Sequence, residues 1–201
     1  MTDAAAAGPP RAGVVVPVRS FRGAMSRLAP TLAPDARAEL ARDLADRVRA
    51  AAGDLPVVVV TADAEVIAWA EATGCATCPD PGTLDGAAAA GQAWARAAGL
   101  DRFVVAHADL PRVESFAAVI DDDAAPVAVV VPDHRDDGTP VLSLPTASPF
   151  AFAYGPGSAA RHIAAARAAG LTVRVLRDPD LGFDVDLADD LVILDPDRHP
   201  R

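Results

Sequence analysis

The chain has 201 residues, 51% of them hydrophobic, and a formal net charge of −10. That length fits one domain with a sizeable core, and the acidic balance excludes a nucleic acid as partner, because a phosphate polymer needs a basic face. No stretch approaches the roughly 18–20 unbroken apolar residues of a membrane span.

Residues 1–12 read as a disordered leader. They lack the basic segment and apolar run of a signal peptide. With two cysteines and no export signal, the expected compartment is the cytoplasm. Gly13–Val18 (GVVVPV) is a buried strand, followed by a polar loop over Arg19–Pro34. A helix runs from Asp35 to about Ala52, with Leu40, Leu44 and Val48 on its buried side. Asp54–Thr61 is a second strand, and Asp63–Thr73 a helix closed by Gly74. Cys75–Cys78 is a brief strand, and Leu84–Ala98 an Ala-rich helix closed by Gly99. Arg102–Ala106 is a strand running into His107-Ala108-Asp109-Leu110-Pro111. Helix is expected again over Val113–Asp121, strand over Pro126–Val131, a polar turn over Asp133–Gly138 and an edge strand over Pro140–Leu144. Pro156–Ala169 is a helix, Leu171–Leu176 a strand and Leu187–Leu194 a short helix.

Strands alternating with helices of this length imply crossover connections. The expected fold is therefore α/β: a Rossmann-like, mainly parallel mixed sheet flanked by helices. Residues 13–195 form one domain, and residues 196–201 a frayed tail. Ligands of open α/β sheets bind outside the carboxyl ends of the strands, so the loops after Val18, Thr61, Ala106 and Val131 are the places to look.

The chain contains no lysine, so all 18 basic residues are arginine. A GC-rich coding sequence accounts for this and for the excess of Ala, Asp and Pro. The chemical consequence is that phosphate contacts must come from arginine, backbone N–H groups or a metal. A nucleotide can arrive with Mg²⁺ partly neutralising it, so acidic residues near such a site are an asset.

Four segments could carry chemistry. The loop after the first strand holds Arg19, Arg22 and Arg27 with no acid among them; guanidinium forks suit phosphate oxygens, although a solvated basic loop has the same composition. Asp109 stands at a strand end, where a carboxylate can serve Mg²⁺ on a triphosphate or simply cap the next helix. Asp184 and Asp186 share one side of an extended segment, about 6.6 Å apart along the chain. That pair suits a hard cation, or Asp186 caps the helix that follows. Glycines in Tyr154-Gly155-Pro156-Gly157-Ser158 open a helix whose free N–H groups could meet an anion, with Ser158 and Arg161 beside them; an ordinary Pro-initiated helix reads the same way. With Gly138-Thr139 this segment would form a pocket for a small phosphorylated acid. Cys75-x-x-Cys78 stands alone, without a second pair, and leads into Pro79, which speaks against zinc and redox roles. The four histidines show no metal-ligand spacing.

Taken in order, VVVPVRSFRGAMSRLAP, VVVVT, HADLP, DGTPVLSLP, YGPGSAARH and FDVDLADDL resemble the CofC/FbiD family of guanylyltransferases in coenzyme F-420 biosynthesis. The pieces span Val14–Leu191. The resemblance implies a nucleotidyltransferase with GTP as donor, pyrophosphate as product and phosphoenolpyruvate or 2-phospho-L-lactate as acceptor. The GC-rich composition fits actinobacterial members, which favour phosphoenolpyruvate. It further implies that Thr139, Gly155 and Ser158 hold the acceptor and that Asp109, Asp184 and Asp186 serve Mg²⁺. Pro17, Arg19, Arg27 and Asp85 would contact the nucleotide, with Arg19 and Arg27 near the reacting triphosphate as catalytic residues. A downstream deazaflavin transferase is the implied protein partner, and the Ala-rich helix faces leave a homodimer open.

The chain departs from the family pattern at four positions. Met25 and Arg19 stand where lysines are usual, Asp85 where an Asn is usual, and Pro140 follows Thr139 where Asn or Ala is usual and removes an N–H donor. Losing a phosphate-contacting cation costs about 1.5–3 kcal/mol. Two alternatives therefore stay open: a nucleotidyltransferase with a changed acceptor or base, and a diverged, non-catalytic GTP-binding protein.

Overall fold

The computed structural model describes residues 11–120 and 126–194. Most of the expected leader, all of the tail and Asp121 lie outside the described residues; Ala12, expected in the leader, opens the first strand. In chain order the elements are β1 (Ala12–Pro17), a 3₁₀ turn (Ser26–Leu28), α1 (Pro34–Ala51), β2 (Val57–Thr61), α2 (Ala64–Ala72), β3 (Ala76–Pro79), α3 (Leu84–Ala97), β4 (Arg102–Ala106), α4 (Ala117–Ile120), β5 (Val127–Val131), β6 (Val141–Pro145), α5 (Ser158–Ala168), β7 (Thr172–Val175) and α6 (Ala188–Leu194).

The strands form one sheet in the order β3-β2-β1-β4-β6-β5-β7. Only β6 runs against its neighbours; the pairings of β1 with β2 and β4, β2 with β3, and β5 with β7 are parallel. The unbroken valine runs follow from burial on both faces. Alternate residues of β1 enter two separate cores: Val14 and Val16 pack with α1, α2 and α4, whereas Val15 packs with α3. Gly91 lets α3 sit close, because a Cβ there would stand 2.2 Å from Val15 Cγ1.

Two expectations change. Residues 140–144 do not form an edge strand: β6 lies inside the sheet, antiparallel between β4 and β5. The short turn from β5 permits only a hairpin return, and Val141, Leu142 and Leu144 need cover on both faces. The buried Arg102 fixes the arrangement, donating to Ser143 Oγ and Val127 O at 3.0 Å each. The helix expected from Val113 begins only at Ala117. Val113 and Phe116 reach the core from a loop, and Ser115 Oγ accepts the Ala117 N–H that opens the helical turn.

Successive crossovers place α1 and α2 on one face and α3 on the other. The chain therefore reverses its direction of travel across the sheet at β1 and β4, the position where open α/β sheets form a crevice. The carboxyl ends of these two strands lead into the arginine loop and into His107–Asp109.

Candidate active site

The loop after β1 is anchored from below. Phe21 is buried edge-on against Trp69, with the Arg42 guanidinium over its ring, and Leu28 is fully buried. Between these anchors Met25 adopts a left-handed conformation, φ 52° and ψ 40°. The three arginines diverge. Arg19 donates to Gly82 O, and its Nε lies 3.8 Å from Asp80. Arg27 pairs with Asp186. Arg22 turns to Glu65 at the start of α2, 3.4 Å away, so the loop does not present all three to one anion.

Two clefts flank this loop and share Pro17, Val18, Arg19 and Leu84 as walls. The first, about 330 Å³, reaches Met25, His107 and Asp109. The second, about 340 Å³, reaches Val60, Asp80 and Thr83.

The acidic side is gathered by one backbone contact. Val185 N–H donates to Asp109 O at 3.0 Å, which docks the Asp184–Asp186 segment on the end of β4. Asp109 Oδ1 and Asp184 Oδ1 are buried without a hydrogen bond, and His134 Nδ1 lies 3.5 Å from the latter. Burial, together with the charges of Asp184 and Asp186, pushes the Asp109 carboxyl up to about 7. Burial and the charge of Asp133 raise Asp184 as well.

The neighbouring Asp190 is the opposite case. Its side chain is fully buried. Burial alone would raise its carboxyl, but the N–H groups of Leu187 (2.7 Å) and Asp186 (2.9 Å) and the Arg135 guanidinium outweigh that and hold it low. Asp190 thus reaches back from the first turn of α6 to the two N–H groups before the helix, while the Asp186 carboxylate, which spacing had offered as the cap, pairs with Arg27.

At the pocket expected for the acceptor, Thr139 and Ser158 are 1% exposed and their hydroxyl oxygens lie 3.1 Å apart. His162 Nε2 accepts the Ala153 N–H, so the ring carries its proton on Nδ1, 3.1 Å from Thr139 Oγ1. Burial, aided by the Arg161 charge, lowers His162 to about 4 and keeps it neutral. One hydroxyl proton of the Thr139–Ser158 pair is left over for an outside acceptor.

Three of the N–H groups at the opening of α5, those of Gly157, Ser158 and Ala159, bond internally. Asp137 accepts from Gly157 N through Oδ1 and from Ala159 N through its carbonyl, and Ser158 N donates to Gly155 O. Arg161, expected to lend a charge to an anion, donates to the carbonyls of Ala153, Tyr154 and Pro156. It shapes the loop around Gly155, whose φ is 103°. Asp85 joins the two sides of the site, accepting the Tyr154 N–H at 2.7 Å.

Sequence reasoning passed over Asp80, Asp190, His134, Tyr154 and His107. His107 Nε2 and Tyr154 Oη are buried without partners, their rings 5.6 Å apart. The only signal was position: His107 directly follows a strand end.

Compared with known proteins, residues 12–195 match the family model described as guanylyl transferase CofC like. A phosphoenolpyruvate guanylyltransferase of Chloroflexus aggregans is 37% identical over 185 residues, covering 87% of this chain and 92% of the relative. Among solved structures, a Desulfovibrio desulfuricans G20 protein assigned as a nucleotide-diphospho-sugar transferase superposes with a TM-score of 0.76 at 19% identity, over 92% of this chain and 86% of the other. Glucosyl-3-phosphoglycerate synthase from Mycobacterium tuberculosis, in complex with Mg²⁺ and UDP, superposes at 0.53 with 13% identity, over 92% and 74%. Both structural likenesses identify the sheet and its helices. Among the described residues no helix is long and apolar enough to cross a membrane.

Proposed function

The chain belongs to the CofC-like guanylyl transferase family and is a nucleotidyltransferase; from that premise we propose that it moves GMP from GTP onto phosphoenolpyruvate, releasing pyrophosphate, as a step of coenzyme F-420 biosynthesis. The 37% identity to a phosphoenolpyruvate guanylyltransferase favours that acceptor over 2-phospho-L-lactate. We assign the reaction to the cytoplasm, where the two free thiols, Cys75 and Cys78, stay reduced.

One observation carries the assignment of the reacting centre: the buried, unpartnered Asp109 Oδ1 on the wall of the first cleft, in the field of Asp184 and Asp186. Among the described residues no ready cage of three or more His, Cys, Asp or Glu side chains stands in ligand geometry. Mg²⁺ seldom uses such a cage; it takes one or two carboxylates and fills the rest with water and substrate phosphates. The unpartnered carboxylates fit that demand. Asp109 and Asp184 would hold Mg²⁺, with Asp186, which pairs with Arg27, serving it from beside them; the ion supplies neutralising charge at the reacting phosphates when bound.

An oxygen of the acceptor phosphate attacks the α-phosphorus of GTP in line. The new P–O bond forms as the bond to the α,β-bridging oxygen breaks, and pyrophosphate carries that electron pair away. A phosphate is already ionised near neutral pH, so no general base is needed, and the chain's work is positioning and charge. Pro17 walls the nucleotide. Arg19 and Arg27, whose partners in this structure are Gly82 O and Asp186, turn to steady the triphosphate. Thr139 and Ser158 offer the remaining hydroxyl proton to the acceptor, with the backbone of Gly155 beside them. His162 Nδ1–H occupies one lone pair of Thr139 Oγ1. Asp85 keeps the nucleotide and acceptor sides in register through Tyr154.

The test is pyrophosphate release by the full chain with Mg²⁺ and GTP. Phosphoenolpyruvate, 2-phospho-L-lactate and 3-phosphoglycerate are added in turn, and the series is repeated with ATP and CTP. A deazaflavin-transferring partner is included to draw off an unstable product. Release that requires both GTP and phosphoenolpyruvate is expected. No release from folded protein that binds GTP would favour a non-catalytic binding protein.

A further inference from the structure

The second cleft contains a carboxylate that the reaction does not use. Its sides are apolar, formed by Val18, Val60, Leu84 and Ala87, and Asp80 stands among them. The Asp80 side chain is only 10% exposed. Its backbone is pinned at the end of β3 by Asp80 N donating to Thr61 O at 3.1 Å. Oδ1 accepts the Gly82 N–H at 2.8 Å, which fixes the rotamer. Oδ2 makes no hydrogen bond; its nearest ion-pair contact is Arg19 Nε at 3.8 Å, beyond hydrogen-bond reach. Thr83 spends its hydroxyl on the Gly86 N–H, so it does not compete for a ligand in the cleft.

An apolar slot with one fixed, acceptor-only group suits a flat heterocycle that presents donors on one edge. Among the common bases, guanine alone offers two adjacent donors, N1–H and the exocyclic N2–H. Adenine and cytosine place a ring acceptor where the carboxylate would need a donor, and uracil flanks its single N–H with carbonyl oxygens. We propose that Asp80 selects guanine, accepting from N1–H and N2–H of a base lying in the second cleft. This rests on the guanylyltransferase reading and assigns its base specificity to a residue. It also gives Arg19 a second task. In this structure Arg19 bridges Gly82 O and Asp80 on the wall shared by both clefts. A base on Asp80 takes over that charge and releases Arg19 toward the phosphates, coupling base recognition to phosphate positioning.

The experiment is Asp80→Asn in the full-length protein. Asparagine presents one acceptor and one donor, which mismatches guanine but matches xanthine, whose N1–H lies beside a C2 carbonyl. Pyrophosphate release with phosphoenolpyruvate, and equilibrium binding, are measured for GTP and xanthosine triphosphate. Wild type should prefer GTP. The variant should lose GTP by about 100-fold, the scale of an unpaired charged hydrogen bond, and gain xanthosine triphosphate. That gain also shows that the variant folds. A variant that still prefers GTP overturns the proposal, as does one with normal circular dichroism that binds neither nucleotide. Wild type that binds GTP but releases no pyrophosphate would overturn the transfer reading instead, and the binding data would still decide the base assignment.

Discussion

The two sides of the site are built on opposite principles. Asp109 and Asp184 each carry a buried oxygen that bonds to nothing; burial raises the proton affinity of both, and the charge of Asp184 raises that of Asp109 further. Thr139, Ser158 and His162 are buried more deeply still, yet each bonds to another. One side is held in a state that a cation would relieve; the other is complete before any ligand arrives. On the proposed assignment, a nucleotide that brings its own cation would bind where relief is available, and the small acceptor would meet groups already oriented, which limits the ordering cost of its binding.

The sharpest way to break this contrast is to remove a carboxylate. Asp109→Ala should lower acceptor-dependent pyrophosphate release on the order of 10³-fold, measured as kcat/KM at saturating Mg²⁺. A loss of less than tenfold would remove Asp109 from the reacting centre. Thr139→Val should act differently. It strands the His162 Nδ1–H and one Ser158 partner, costing about 1–3 kcal/mol of stability by denaturant unfolding, and it should raise KM for the acceptor more than KM for GTP.

Acidification should separate the two sides by sign. Asp109 titrates at about 7 in the fold, against an ordinary value of 3.8. Its folded state binds the extra proton, so its contribution to stability is full below 3.8 and is lost as pH rises through 7. His162 titrates at about 4, against 6.5. Its contribution is full above 6.5 and is lost as pH falls through 4. Thermal melts of metal-free wild type, Asp109→Asn and His162→Gln between pH 4 and 8 should give wild-type-minus-variant differences with opposite slopes. The smallest effect belongs to Arg22→Ala. The exposed pair with Glu65 is worth less than about 1 kcal/mol, and kinetics should match wild type. A kinetic defect as large as that of Arg19→Ala would mean that the loop acts as one basic unit.

Much of this architecture is legible in the chain. The valine runs of β1, β2 and β5 are apolar throughout because they are covered on both faces, and that pattern survives any choice of neighbours. The place of β6 was not legible, since Val141–Leu144 would be equally apolar at either position and only pairing with β4 decides between them. The helix expected at Val113 failed because its apolar spacing serves a loop that packs without helical turns. At the site, Asp109 was visible at a strand end, and Asp184 and Asp186 as a pair on one side of an extended segment. The Val185–Asp109 backbone contact that gathers them joins residues 76 apart and leaves no local trace. Arg22 and Arg19 look alike in sequence; Glu65 and Asp80 separate them. Nothing in the sequence singles out Asp80; its place in an apolar cleft appears only once Val60 and Leu84 stand beside it.

The most direct test of the central contrast is thermal melting of wild type and Asp109→Asn at pH 7.5, each with and without Mg²⁺ and GTP. The ligand-free variant should melt above ligand-free wild type, because an uncompensated charge has been removed, and only wild type should gain markedly from Mg²⁺ with GTP. A ligand-free variant that melts below wild type, yet gains as much from Mg²⁺ with GTP, would contradict that contrast.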